Sequence, residues 1–362
     1  MLDELAAWVT SIDPDARLVP FGSFVLQARI FESDIDVLVT TQFPRNEFID
    51  AFEQVLEKVH AKKIVVVRDA FVPVIKFIRG ETSYDVIVAC VTDPDDVDRR
   101  CLSAEHTTRT LLEITSSIPL FRPLLLEIKQ YAVRELIYSN PLGLLNGVAL
   151  AIMSTWLLQN YNVRTLEEAL NTFLYVLATF DFQRFSIDLY NPTCPAAPGK
   201  EMTVYIPATT LPRINALHNV GRAQFLCIRA AAQRSIAAPA LCRKSPLRVF
   251  VDEHSHFLHL HIFTDKPANH AGFRAKVDAK LKVLVRALSK YTERVRPLPV
   301  EFTFESEQHH RTSMFVGLVE PSEGYLTCIS EFVVPFAVGP FHVCTDVMSA
   351  RHLPAFFLTP LG

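Results

Sequence analysis

Residues 21–40 read FGSFVLQARIFESDIDVLVT. Gly22 and Ser23 follow a Phe, and eleven positions beyond that Ser two aspartates, Asp34 and Asp36, stand one residue apart in an apolar run. On a strand, side chains two apart share a face, so the aspartates point one way while Ile35 and Val37 point into a core. Two carboxylates that close repel, which is costly unless a cation sits between them. Mg²⁺ or Mn²⁺ suits the position, since such ions prefer hard oxygens and share carboxylates with substrate phosphates. The Gly-Ser bend supplies the complement. Gly lets a backbone approach a phosphate, and backbone N–H groups with the Ser hydroxyl can bind its oxygens. SYDVIVA, at 83–89, offers a third acid, Asp85, in another β-type run. Three aspartates can hold two metal ions, one activating an attacking hydroxyl and one bracing a triphosphate, as in nucleotidyl transfer. Read alone, a D-x-D pair is more simply a strand end capping the next element. Gly22, Ser23 and Asp85 together turn the reading toward metals.

The 362 residues allow two or three domains. Hydrophobic residues make up 49% of the chain and Gly is scarce, which excludes disorder and low complexity. A net charge of -3 gives no global attraction to nucleic acid or membranes, so any polyanion site must be local. Seven scattered cysteines without a C-x-x-C pair read as free thiols in a reducing compartment. The acidic start MLDELAAW does not resemble a signal peptide. The longest apolar run, Gly143 to Leu158, is shorter than the roughly 20 residues of a membrane span. It reads as a buried helix, and the chain as soluble and intracellular with no membrane partner.

The pattern predicts an α+β, multidomain chain in three parts, residues 1–100, 101–245 and 246–362. The first mixes helices at about Leu2–Ile12 and Arg45–His60 with the strands KIVVVR, VPVIKFI and SYDVIVA; RGET is a hairpin turn between the last two. TDPDDVDRR reads as a solvated boundary loop. The second part is mainly helical and could take back the N-terminal helix. From Met202 to Val251 it holds no acid but contains Arg213, Arg222, Arg229, Arg234, Arg243, Lys244 and Arg248, a candidate RNA groove or a surface paired with acids elsewhere. The third part alternates strands, LRVFVD and FLHLHIF among them, with one helix. His259 and His261 share a strand face there, and without a clustered Cys or Asp they read as structural.

FGS followed by DID and then by a third Asp after VPVIKF resembles the DNA polymerase beta-like nucleotidyltransferase superfamily, and within it eukaryotic-type poly(A) polymerase. The narrower likeness rests on DAFVPVIKFIRGETSYDVIVA, on EIKQYAVRELIYSNPLGLLNGVALAIM and, more weakly, on VYIPATTLPRINALHNV. The resemblance implies a nucleotidyltransferase mixed sheet in 1–100, a helical central domain in 101–245 and an RRM-like (ferredoxin-like) RNA-binding domain in 246–362. It implies a polynucleotide adenylyltransferase adding AMP from ATP to RNA 3′ ends with two Mg²⁺ or Mn²⁺ ions, in mRNA processing. Asp34, Asp36 and Asp85 would hold the metals. Phe21, Gly22, Ser23, Lys129, Tyr138, Gly147, Val148, Ser103 and Thr210 would contact the nucleotide, and Phe71 and Lys76 the RNA primer. Implied partners are ATP, the RNA 3′ end and a processing-complex or processivity subunit; the implied compartment is the nucleus, with the cytoplasm as the alternative. Where Gln27 and Glu32 stand the family usually has Gly, so the loop path there is expected to differ. Ser103-Ala104 stands for Asn-Gly, and Asn146 for the first glycine of GGV. These departures touch base choice more than catalysis. A terminal uridylyltransferase and a catalytically silent RNA- or partner-binding subunit are the rival readings.

Overall fold

In the computed structural model, which describes residues 2–30, 33–68, 72–207, 213–238, 245–264, 267–292, 294–305, 310–336, 341–354 and 357, the first hundred residues build one mixed sheet. The elements run α1 (Leu2–Ile12), β1 (Arg17–Pro20), α2 (Gly22–Val25), β2 (Ile35–Thr41), α3 (Arg45–Lys58), β3 (Lys62–Val67), β4 (Val74–Arg79) and β5 (Thr82–Cys90), with strand order β1-β2-β5-β4-β3. Among the described strands of this sheet, only β2 and β5 pair in parallel. Both are almost continuously apolar because both faces are covered. Ile35, Val37, Val39, Tyr84, Val86 and Val88 pack on Leu5 and Val9 of α1 and on Phe48, Phe52 and Leu56 of α3. The alternate residues Leu38, Ile87 and Ala89 meet Cys101 of α4 (Asp96–Thr115) on the opposite face.

TDPDDVDRR is not a solvated loop. Asp95 caps α4 in a capping box with Asp98, and Asp98 is buried at 3% exposure. Arg45, at the start of α3, donates to Asp98 at 2.6 Å and to Asp95 at 2.8 Å, holding the Asp95 carboxyl well below the usual range. Asp98 also accepts the Cys90 N–H at 3.0 Å, so this cluster docks α4 on the end of β5. Arg45→Met should lower stability by about 3 kcal/mol because Asp98 would stay buried without its cation. Chemical denaturation measures this, and a loss below about 1 kcal/mol would assign the cluster to the surface class.

Helices α5 (Phe121–Arg134), α6 (Gly147–Asn160), α7 (Leu166–Thr179) and α8 (Arg222–Ala237) follow. The helix α6 is buried without a break from Ala149 to Leu157, enclosed by its neighbours. None of the described helices is long and apolar enough to cross a membrane. LRVFVD lies not in a strand but in α9 (Pro246–Asp252), where Ser245 accepts the Arg248 N–H and Pro246 opens the first turn. Leu247, Phe250 and Val251 are its buried face at helical spacing, which a six-residue apolar run does not distinguish from a strand.

The chain then forms β6 (His256–Thr264), α10 (Pro267–Leu288), β7 (Val295–Pro297), β8 (Phe302–Glu305), β9 (His310–Leu318), α11 (Tyr325–Val333) and β10 (Phe341–Ser349). This second sheet is antiparallel, ordered β10-β6-β9-β7, with β8 on β9. Leu258, Leu260 and Ile262 of β6 pack on Val277, Leu281 and Leu284 of α10, in one core continuous with α5–α8.

The described arginines of the acid-free stretch are engaged rather than lining a groove. Arg213 pairs with Asp188, Arg222 with Glu201, Arg234 with Glu253 and Arg248 with Asp252. Arg229 donates to the Phe180 carbonyl at 2.5 Å and lies over the Phe225 ring. Arg243 and Lys244 are outside the described residues.

Candidate active site

Asp36 and Asp85 are register partners across β2 and β5, and Asp85 is in turn paired with Lys76 on β4. The period of two places this row on the same face as Leu38 and Ile87, at the end of the strands that opens into a cavity of about 730 Å³. Asp34 joins it from just before β2. Lys76 forms an ion pair with Asp85, so the lysine read as a primer contact stands among the carboxylates.

The row carries strained electrostatics. Asp36 has its carboxyl pushed up to about 7, by burial first and then by Asp85 and Asp34, with Lys76 and Lys129 pulling the other way. Asp85 is raised too, burial outweighing the Lys76 cation, and its Oδ1 is buried with no hydrogen-bond partner among the described residues. Three carboxylates that line one cavity and feel one another's charge, one with an unanswered oxygen, are the hard-oxygen donor set that suits a divalent cation.

Folding raises the Asp36 pKa above its ordinary 3.8, so the protonated form is the one the fold favours. The stability it contributes is complete below that ordinary value and is lost as pH rises through about 7. Asp36→Asn, in chelator, should therefore gain on the wild type between about pH 5 and about pH 8, by on the order of 2 kcal/mol at the upper end. Buried His254 and His259, lowered to about 4, drive both chains the opposite way below 6.5, and taking the difference cancels them. Urea unfolding across that range checks this; a constant gap would mean that neither burial nor its neighbours raise the Asp36 carboxyl.

Gly22 adopts φ +66°, and a Cβ there would stand 2.7 Å from Asp36 Oδ2. The bend is clamped from both sides. The Phe21 N–H donates to the Asp36 carbonyl at 3.0 Å, and the Gly22 N–H donates to Thr108 Oγ1 on α4 at 2.9 Å. That amide is therefore spent on the fold. The bend opens the short helix α2 rather than a simple turn. Beyond it Gln27 takes φ 53°, the left-handed conformation a glycine favours, with its Oε1 accepting from Arg122 at 2.6 Å.

The opposite wall comes from α5, α6 and the segment between them. Lys129 is 3% exposed, donates to the Ala28 carbonyl at 2.8 Å, and has its pKa lowered by burial against the pull of Asp36. Burial, and then Asp36, raises the Tyr138 phenol. A Cβ on Gly147 would lie 3.0 Å from the Tyr138 hydroxyl and 3.5 Å from Lys129 Cε, so the glycine lets α6 start against both side chains. Asn146 caps α6 by accepting the Ala149 N–H at 3.0 Å, and its Nδ2 donates to the Ala216 carbonyl at 2.8 Å.

Phe21, Gly22, Ser23, Asp34, Asp36, Lys76, Asp85, Ser103, Lys129, Tyr138, Gly147 and Val148 all line this one cavity. Ser103 is buried, with its hydroxyl donated to the Arg100 carbonyl. Phe71 and Thr210 lie outside the described residues. Thr108, Asn215 and His218 also line the cavity and were not singled out from the sequence. A Thr inside a helix and polar residues in an irregular segment carry no periodic signal. The LPRINALHNV stretch was the hint available.

Residues 7–100 match the family model of the poly(A) polymerase nucleotidyltransferase domain. The poly(A) polymerase PAPa of Candida albicans is 24% identical over 317 residues, covering 76% of this chain and 57% of that protein. A poly(A) polymerase of Dictyostelium discoideum is 32% identical over 174 residues, covering 42% of this chain and 21% of that protein. The chain thus spans about half, or less, of the length of these curated relatives. Among solved structures, the Cid1 poly(U) polymerase superposes with a TM-score of 0.54 at 18% identity, over 68% of this chain and 89% of its own. A variant of mtPAP in complex with ATPγS gives 0.56 at 16% identity, over 68% and 64%. Residues 7–100 are thus similar to the poly(A) polymerase nucleotidyltransferase domain, and about two thirds of the chain shares the fold of these solved structures.

Proposed function

We propose that the chain is a template-independent RNA nucleotidyltransferase that adds AMP from ATP to RNA 3′ ends. The observation that carries the reading is the row Asp36–Asp85–Lys76 with Asp34, facing the Gly22 bend in a cavity whose far wall is Lys129, Tyr138 and Gly147. Asp34, Asp36 and Asp85 would hold divalent cations, Mg²⁺ or Mn²⁺, which supply charge neutralisation and an activated 3′-hydroxyl when bound. Asp85, beside Lys76, would take the hydroxyl proton. Phe21, Gly22 and Ser23 would orient the triphosphate, and Lys129, fixed by the Ala28 carbonyl, would offset its charge. Tyr138 would hydrogen-bond near the sugar. Gly147 and Val148 would border the base, and Asn215 and His218 line the same cavity. Lys76, 44% exposed at its side chain, can leave Asp85 for a primer phosphate.

The second sheet supports an RRM-like reading of the C-terminal part, since a β-α-β-β-α-β chain ordered β10-β6-β9-β7 is the ferredoxin-like arrangement. The helices between the sheets would form the central domain. A nuclear address belongs to this reading through the nuclear poly(A) polymerase 3 of Arabidopsis thaliana, and a processing-complex subunit through the sequence resemblance alone.

The deciding experiment is extension of a labelled oligo(A) primer with each NTP separately. ATP should be preferred by at least about tenfold. Preference for UTP would replace the adenylyl reading with a uridylyl one. Absence of both extension and metal-dependent ATP binding by calorimetry would favour a silent subunit.

A further inference from the structure

His259 and His261 gain from the fold the acidic partner that their own segment lacks. On the paired strands β6 and β10, His259 stands directly opposite Asp346. Residues paired in this way share a face. Both histidines and the carboxylate therefore occupy the side of the second sheet away from α10, whose partners on β6 are Leu258, Leu260 and Ile262. We propose that His259, His261 and Asp346 form a binding site for a transition-metal ion of the Zn²⁺ class. The site is separate from the aspartate cavity, whose lining reaches no further along the chain than His218.

One ligand atom from each of the three residues lies within 4.8 Å of the others. Zinc–nitrogen and zinc–oxygen bonds of about 2.0–2.2 Å would draw them together by modest side-chain rotation, with water as a fourth ligand. His259 is 4% exposed, yet its Nε2 has no hydrogen-bond partner among the described residues. Phe315 stacks on that imidazole with ring centroids 4.2 Å apart, and the His261 ring lies at 3.5 Å. An orphaned buried nitrogen held beside a second imidazole and a carboxylate is what an ion would answer. Two imidazoles select Zn²⁺ over Mg²⁺, so this site and the all-oxygen aspartate site would sort ions by softness.

Arg311 is the built-in competitor. It donates to His261 Nδ1 at 2.6 Å, and a guanidinium can only donate, so His261 carries its proton on Nε2, facing Asp346 Oδ2 at 3.1 Å. An ion binding at Nε2 takes the place of that proton, which moves to Nδ1 or to solvent. Arg311 then withdraws over the Phe263 and Phe304 rings, above which its guanidinium already lies at 5.4 and 5.9 Å.

The test uses the whole chain in excess Mg²⁺, which fills the aspartate site, dialysed against Zn²⁺ and analysed for bound metal. Co²⁺ serves as the visible-absorption probe. One Zn²⁺ per chain should be retained. His261→Ala and Asp346→Ala should each weaken binding by on the order of tenfold or more, and Arg311→Leu should strengthen it. The Asp346 side chain is 66% exposed, so its variant tests ligation without disturbing the core around Phe315. No Zn²⁺ retained over Mg²⁺, or unchanged affinity in Asp346→Ala and His261→Ala variants with wild-type circular dichroism, would overturn the proposal.

Discussion

Asp85→Ala should lose primer extension by at least about a thousandfold while the protein stays folded. Two opposing effects make this a sharp expectation. The side chain lies in the row with Asp36, so under the proposed mechanism its removal would take a ligand from a bound cation and leave the incoming hydroxyl without a base. The same removal relieves a repulsion, because Asp85 is one of the groups holding the Asp36 carboxyl up near 7. Lys76 loses its partner but is 44% exposed at its side chain, so water can take over its solvation at little cost. The melting temperature should therefore be unchanged or higher while activity disappears, a trade expected where function stores repulsion. Single-turnover extension of a labelled primer, with a thermal melt on the same sample, measures both. Extension at the wild-type rate would remove Asp85 from the chemistry; a cooperative loss of fold would show that its burial, not its charge, is what the protein needs.

Gly22→Ala should be the most damaging change outside the carboxylates, cutting extension by about a hundredfold or more. The added methyl would lie 2.7 Å from Asp36 Oδ2 and 3.3 Å from its Cγ, below any normal contact. The backbone has little freedom to yield, since the Phe21 N–H holds the Asp36 carbonyl and the Gly22 N–H holds Thr108. The residue's φ of +66° adds roughly 1–2 kcal/mol for any L side chain. The carboxylate must then rotate away, moving one of the three groups that would face a cation in the proposed site. Metal-dependent ATP binding by calorimetry should weaken together with turnover. Thr108→Val should show a smaller version of the same defect, since it frees the bend without the clash. Wild-type ATP affinity in Gly22→Ala would mean that the bend does not position the triphosphate.

The parts of the site that were legible from the chain are those encoded by local spacing. Asp34 and Asp36 declare a shared face through the two-residue period of a strand, and Asp85 does so in a second strand of the same kind. Lys129, Tyr138, Gly147 and Val148 were legible only through resemblance, because a lysine on a helix and a tyrosine near its end carry no chemistry by spacing alone. What escaped depended on distant partners. Asp98 looked solvated until Arg45, 53 positions away, covered it. The arginines between 202 and 251 left a groove and an acid-paired surface both open, and the partners Asp188, Glu201, Glu253 and Asp252 came only with the structure. The carboxylate that faces His261, Asp346, comes 85 positions after it and could not be paired with it from the sequence. LRVFVD was misread because six apolar-rich residues fit either period, and the Ser-Pro cap that decides it lies just outside them.

By itself, then, the order of residues determined the alternation that makes β2 and β5 central strands and the carboxylates they must present on one face. Side-chain periodicity is a property of the backbone and survives in any context. Only the tertiary structure decided that Asp36 sits beside Asp85 in register, that Thr108 clamps the glycine bend, and that Lys129 is buried opposite them. Those facts come from pairing and packing between segments tens of residues apart, where proximity is set by the shared core and leaves no trace in local spacing.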